Sequence, residues 1–220
     1  MSKGYRVEVE IAAPPERVWQ ALREVEELKR WFGWDYEGLD AEVRFIFVEH
    51  AKPDAEAMTL TAEGGSGLSL HASGAGTIVR AVSPGSLTEA EWDEIYDDER
   101  EGWRQFFVQL KHWLERKDGD ARRTLRVAAD GDPDAILAAT RERFGGEPFH
   151  ASAFQESRAI EALGGGLTNL VARRPFGGSG DARVALTLTT HGLDDAAFDA
   201  LTEDTKSWLE SRAHDLEITR

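Results

Sequence analysis

The stretch from Ser83 to Lys117, SPGSLTEAEWDEIYDDEREGWRQFFVQLKHWLERK, constrains the fold more than any other part of the chain. A Pro-Gly pair and the cap region Ser86 to Thr88 open it, and acidic residues crowd the first turns, where the positive end of a helix dipole favours them. Trp92, Ile95, Tyr96, Trp103, Phe106, Phe107, Leu110, Trp113 and Leu114 recur at steps of three and four, while Asp93, Asp97, Arg100, Arg104, Lys111 and Glu115 take the other side. The spacing predicts one long amphipathic helix with an aromatic face. Each ring contributes roughly 1.5–3 kcal/mol when fully buried, so the face needs a broad partner surface, and a sheet is the natural one.

From Tyr5 to Ala13 the residues Val7, Val9 and Ile11 alternate with Arg6, Glu8 and Glu10, the pattern of a strand with one buried face. Pro14 and Pro15 end it. A helix follows, with Val18, Leu22, Val25 and Phe32 on one side, Leu28 and Trp31 in support, and an aromatic cluster of Trp31, Phe32 and Trp34 at its end. Ala41 to His50 alternates again, placing Val43, Phe45 and Phe47 on one face of a second strand. Met58 to Glu63, Leu68 to Ala72 and Thr77 to Val82 predict three more, joined by glycine-rich hairpin loops. Neither glycine cluster opens a helix or precedes Lys-Ser/Thr, so neither is a phosphate loop.

After Lys117 the same grammar returns. Laying Pro133 on Pro15 puts Val127 on Val9 and Arg141 on Arg23, and laying LDDAAFDAL on LTEAEWDEI puts Phe198 on Trp92 and Leu201 on Ile95. Strands are expected at Pro148 to Phe154, Arg158 to Leu163, Leu167 to Arg173 and Arg183 to Thr190. A last helix would carry Phe198, Leu201, Trp208, Leu209 and Leu216 inward. We read two related α+β domains, 1–117 and 122–220, the second shortened in its sheet region.

The formal charge of −15 argues against nucleic-acid and anionic-membrane partners, which bind through basic surface. No apolar run approaches the ~18 residues of a membrane helix, and the N-terminus lacks a signal-peptide core, so a cytoplasmic location is expected. Absence of cysteine removes thiolate catalysis and thiolate metal sites, and the six histidines are scattered without HExxH spacing. No metal and no cofactor is expected, and no serine-nucleophile elbow occurs.

The opening VEVEIAAPPERVWQAL resembles the first strand and helix of the SRPBCC superfamily, the helix-grip fold of START domains and the birch pollen allergen. EGWRQFFVQLKHWLE resembles the closing helix of its branch named after the activator of the heat-shock protein 90 ATPase. The resemblance covers residues 1–117; over 122–220 it is weak, with no Gly-Trp pair and only Phe144 for the aromatic cluster. It implies an antiparallel sheet wrapped around the long helix, with a cavity between them that in many relatives takes a hydrophobic small molecule.

The expected function is non-catalytic binding of such a molecule. Trp31, Trp34, Phe45, Phe47, Glu99, Trp103, Phe106, Phe107 and Leu110 are the candidate ligand-binding residues, and no catalytic residue is assigned. All but Glu99 fit an ordinary core equally well. Glu99, in line between Ile95 and Trp103, is the best candidate for a general acid or a ligand hydrogen-bonder. The alternatives are a co-chaperone-like module with a protein partner, and a cyclase- or hydrolase-type enzyme. Oligomeric state is open, with a homodimer among the options.

Overall fold

The protein is described by a computed structural model covering residues 4–74, 76–84, 89–117, 121–161 and 164–220, with the backbone alone for 89–98. It divides into two compact units, Met1–Gly33 with Glu37–Asp118, and Trp34–Tyr36 with Gly119–Arg220.

The first unit runs β1 (Tyr5–Ile11), α1 (Pro15–Arg23), α2 (Val25–Leu28), α3 (Leu39–Arg44), β2 (Lys52–Asp54), β3 (Thr59–Thr61), β4 (Gly67–Ser73), β5 (Gly76–Ser83) and α4 (Glu89–His112). Its sheet is antiparallel in the order β1-β5-β4-β3-β2. Along β1 the alternation holds, with Tyr5, Val7 and Ile11 buried and Arg6, Glu8 and Glu10 exposed. Pro15 starts α1, where its missing N–H costs nothing, and Val18, Ala21 and Leu22 turn inward.

On α4, Phe107 and Leu110 are buried and pack into the same core as Val7, Ile11 and Val79. Below them the helix widens into a π-helical turn, Trp113–Lys117, whose Trp113 and Leu114 are also buried. Two polar ties fix this end to β1 and the residue after it: Lys111 Nζ donates to the Glu10 carbonyl and Glu115 accepts from the Ala12 N–H, both at 2.7 Å. The fold is α+β, an antiparallel sheet gripping a long C-terminal helix.

One expected strand is helical. Ala41 to His50 falls in α3 and the π-helical turn Phe45–Glu49 that continues it. Val43 and Phe47 are four apart and satisfy both a strand's period and a helix's, so Phe45 is the residue that decides. On a strand it would share their buried face; here it is 54% exposed, while Leu39, Val43 and Phe47 line the buried stripe.

The second unit runs β6 (Arg122–Gly131), α5 (Pro133–Phe144), β7 (Glu147–Ala151), β8 (Gln155–Ile160), β9 (Gly166–Ala172), β10 (Ala182–His191), α6 (Asp195–Glu210) and β11 (His214–Thr219). Its sheet order is β11-β6-β10-β9-β8-β7, which repeats the first sheet's order once β11 is set aside. Pro133 opens α5 as Pro15 opens α1, and Asp132 and Asp194 cap α5 and α6 by accepting from the N–H groups of Asp134 and Ala197. Leu125, Val127, Leu186, Leu188, Phe198 and Leu209 form its core. Leu216 lies on β11, not on the last helix.

The shortening of this unit does not fall in its sheet. Strands β6 and β10 are ten residues each, against seven and eight for β1 and β5. The units differ between first helix and second strand, with Glu24–Ala51 in the first unit and only Gly145–Gly146 in the second. Both glycines take positive φ, at 62° and 78°, so the reversal is made in the region L-residues avoid.

The helical assignment of Phe45–Glu49 predicts opposite results at neighbouring positions. Phe47→Ala should cost about 3–5 kcal/mol in urea denaturation, as for a buried ring. Phe45→Ala should stay within about 0.5 kcal/mol of wild type, whereas a strand with both rings inward would lose heavily at each.

Candidate functional site

A partly open cavity of about 80 Å³ lies in the first unit. The sheet supplies Tyr5, Leu60, Leu68 and Ala81, the insert supplies Ile46, Phe47 and Ala51, and Trp103 of α4 closes it; Thr61, Ala62, Ser66, Gly67 and Val82 complete the lining. Its walls are therefore a sheet face, the segment that the second unit lacks, and one indole of the long helix.

The space exists because large rings give way to small side chains here. Phe32 packs on Phe47 at 5.0 Å and on Phe106 at 4.6 Å between ring centroids, and Trp31 meets Phe47 edge-on at 6.0 Å. Trp103 reaches the same cluster, 6.4 Å from Phe47 and 5.6 Å from Phe107. Across from these rings stand Ala51, Ala81 and Gly67, which cannot fill the volume. Gly67 is held to its size by the β3–β4 pairing, since a Cβ there would lie 2.4 Å from the Leu60 carbonyl oxygen.

Of the nine residues expected to bind a ligand, Phe47 and Trp103 line the cavity. Trp31, Phe107 and Leu110 are fully buried core, and Phe106 is half-buried against it. Trp31 is further fixed by its indole N–H, which donates to the Ala21 carbonyl at 2.9 Å. Phe45 is exposed, for the helical reason given above. Trp34 belongs to the second unit, where the Arg126 guanidinium lies 4.2 Å over its ring. Glu99 is exposed and does not line the cavity. Trp92, Ile95 and Tyr96 lie outside the residues whose side chains are described.

Sequence reasoning missed Tyr5, Ile46, Ala51, Leu60, Leu68 and Ala81. The alternation of β1 did place Tyr5 on the inward face with Val7, and that was the available signal. Ile46 and Ala51 could not be found while their segment was read as a strand.

Tyr5 is the one phenol among the described lining residues. Its pKa is pushed up to about 12, first by burial, then by the charge of Glu99, with a hydrogen bond from Trp103 pulling the other way. Glu99 thus acts on the site through its field although its carboxylate is outside.

In the second unit Asp130, His214 and Asp215 bring one ligand atom each within 4.8 Å of one another. The group is at the surface and already ion-paired: His214 Nδ1 is 2.9 Å from Asp215, and Arg183 is 3.2 Å from Asp130. The Asp215 hydrogen bond holds the His214 imidazole above its ordinary range. It reads as a solvated charge cluster.

Because the raised Tyr5 pKa means the folded protein keeps a proton that the unfolded chain releases near pH 10, stability from this group is intact below pH 10. It is lost as pH rises toward about 12. Tyrosinate absorbance at 295 nm should show a late step near pH 12, absent in Tyr5→Phe; a single step near pH 10 for all tyrosines would contradict the buried placement.

No protein-family model matches the chain, and no curated protein does. Among solved structures, the Aha1 dimer from Colwellia psychrerythraea aligns at 18% identity with a TM-score of 0.40, over 53% of this chain and 99% of its own. Protein MLL2253 from Mesorhizobium loti aligns at 20% identity with a TM-score of 0.36, over 53% and 99%. The di-domain ARO/CYC BexL from the BE-7585A biosynthetic pathway aligns at 14% identity with a TM-score of 0.39, over 96% and 93%. At such identities and TM-scores these likenesses carry no further argument.

Proposed function

We propose that the first unit is a non-catalytic binding module for a small apolar molecule, held between the sheet, the insert and Trp103. The observation that carries the reading is the apolar cavity itself, at the place where a helix-grip fold leaves room between sheet and helix. Its size narrows the expectation. Pockets for drug-sized ligands run to roughly 300–1,000 Å³, whereas this one is about 80 Å³, so it takes a short chain or a single small ring, or the end of something longer.

The two domains are read as related copies, an inference supported by their equal strand order and by proline at the start of each first helix. In that reading the second unit is the copy without a cavity wall, because the residues corresponding to the insert are gone.

Neither alternative gains a specific observation. A protein-docking module needs a contiguous apolar patch, and the large apolar side chains exposed among the described residues are Tyr36, Phe45, Val48 and Ile218, of which only Phe45 and Val48 are neighbours. The enzyme reading rested on Glu99, which does not line the cavity.

Thermal-shift measurements with a panel of small apolar molecules test the reading, with cavity-filling Ala81→Leu and Leu60→Phe as controls. A ligand at a hundred times its Kd stabilises by about 2.7 kcal/mol, so wild type should shift by several degrees. The shift should vanish in whichever filled variant still unfolds at or above the wild-type midpoint. No shift with any panel member, or an equal shift in the filled variants, would overturn it.

A further inference from the structure

We propose that the cavity selects uncharged molecules and rejects carboxylates, so that its ligand is an alcohol, ketone, ester or hydrocarbon and not a fatty-acid-like anion. This rests on the apolar-ligand reading above and adds the charge rule to it.

The argument is one of missing compensation and adverse field. A carboxylate taken out of water needs a cation or several donors, since an unpaired buried charge is far costlier than a buried polar group. The described lining has aliphatic and aromatic side chains, two hydroxyls at its edge and the Tyr5 phenol, but no Lys, Arg or His. Of those hydroxyls, Ser66 is already engaged, 3.1 Å from Ser83 Oγ.

The two cations of α4 that flank Trp103, Arg100 and Arg104, are both paired with Glu101. From Gly85 to Glu99 the sequence holds Glu89, Glu91, Asp93, Glu94, Asp97, Asp98 and Glu99 with no Lys, Arg or His. The charge of Glu99 reaches the lining, as its effect on Tyr5 attests. An anionic headgroup at the mouth therefore meets like charge, while its tail gains no more than that of the neutral analogue.

Matched probes test this without knowledge of the natural ligand. Pentan-1-ol and pentanoate share a chain and differ in charge, and titrating each into ¹⁵N-labelled protein reads binding at the amides of Leu60, Leu68 and Ala81. At pH 7 the alcohol should shift these amides and pentanoate should bind at least tenfold more weakly. Ala62→Arg, which puts a cation at the exposed rim, should narrow that gap by several-fold. Pentanoate binding within twofold of pentan-1-ol would overturn the charge rule and leave the binding module standing. If neither probe moves those amides, the apolar-ligand reading falls and the charge rule with it.

Discussion

The long helix must hide its aromatic face, and the first unit is arranged around that need. Toward the helix C-terminus the sheet suffices: Phe107, Leu110, Trp113 and Leu114 are sealed against β1 and α1, and the ties of Lys111 and Glu115 hold that end in register. Around Trp103 and Phe106 the segment after α1 folds back to supply Phe32 and Phe47. The cavity is what remains where this second cover stops. It is bounded by rings on the helix and insert side and by Ala81 and Gly67 on the sheet side. Ligand space and core are thus parts of one packing problem, which is why they look alike in a sequence.

The second unit shows what the same strand order does without the insert. Glu156 on β8 accepts from Arg141 of α5 and from Arg158, and Arg158 also donates to the carbonyls of Gly145 and Gly146. The pairing with Arg141 holds the Glu156 carboxyl below its ordinary range. A charged network with its donors satisfied therefore joins first helix and sheet where the first unit uses an aromatic segment. Such a network fixes geometry but offers no apolar volume.

The fold was largely legible because its signals are periodic. Alternation marked β1, apolar runs bounded by glycine clusters marked β4, β5, β8, β9 and β10, and proline with a following apolar stripe marked α1 and α5, while β11 was read as part of the last helix. The site was legible only in part. Phe47 and Trp103 could be named because they are large, whereas Ala51, Leu60 and Ala81 matter by position and carry no signature. Phe45 was misplaced because two residues four apart fit both periods, and three-residue strands such as β2, with every residue exposed, have no pattern to read.

The placement of Trp34–Tyr36 with the second unit was not legible, for a different reason. Trp31, Phe32 and Trp34 stand together in sequence, and a run of aromatics suggests one shared core. Gly33 between them takes φ of +62°, a conformation that costs an L-residue roughly 1–2 kcal/mol, and its carbonyl accepts from Gln109 Nε2 at 3.2 Å. The chain turns there. Trp31 and Phe32 enter the first core, and the next three residues join the other unit, where Asp35 and Thr124 exchange hydrogen bonds, N–H to Oγ1 at 2.5 Å and N–H to Oδ2 at 2.7 Å. Burial pulls the neighbouring Arg122 guanidinium down to about 10 and the Asp35 charge, 3.8 Å away, resists that pull, so the segment carries the anion this site needs. Three residues lent across a boundary cannot be found from hydrophobic periodicity, because what holds them is a reciprocal polar pair and one ring under a guanidinium.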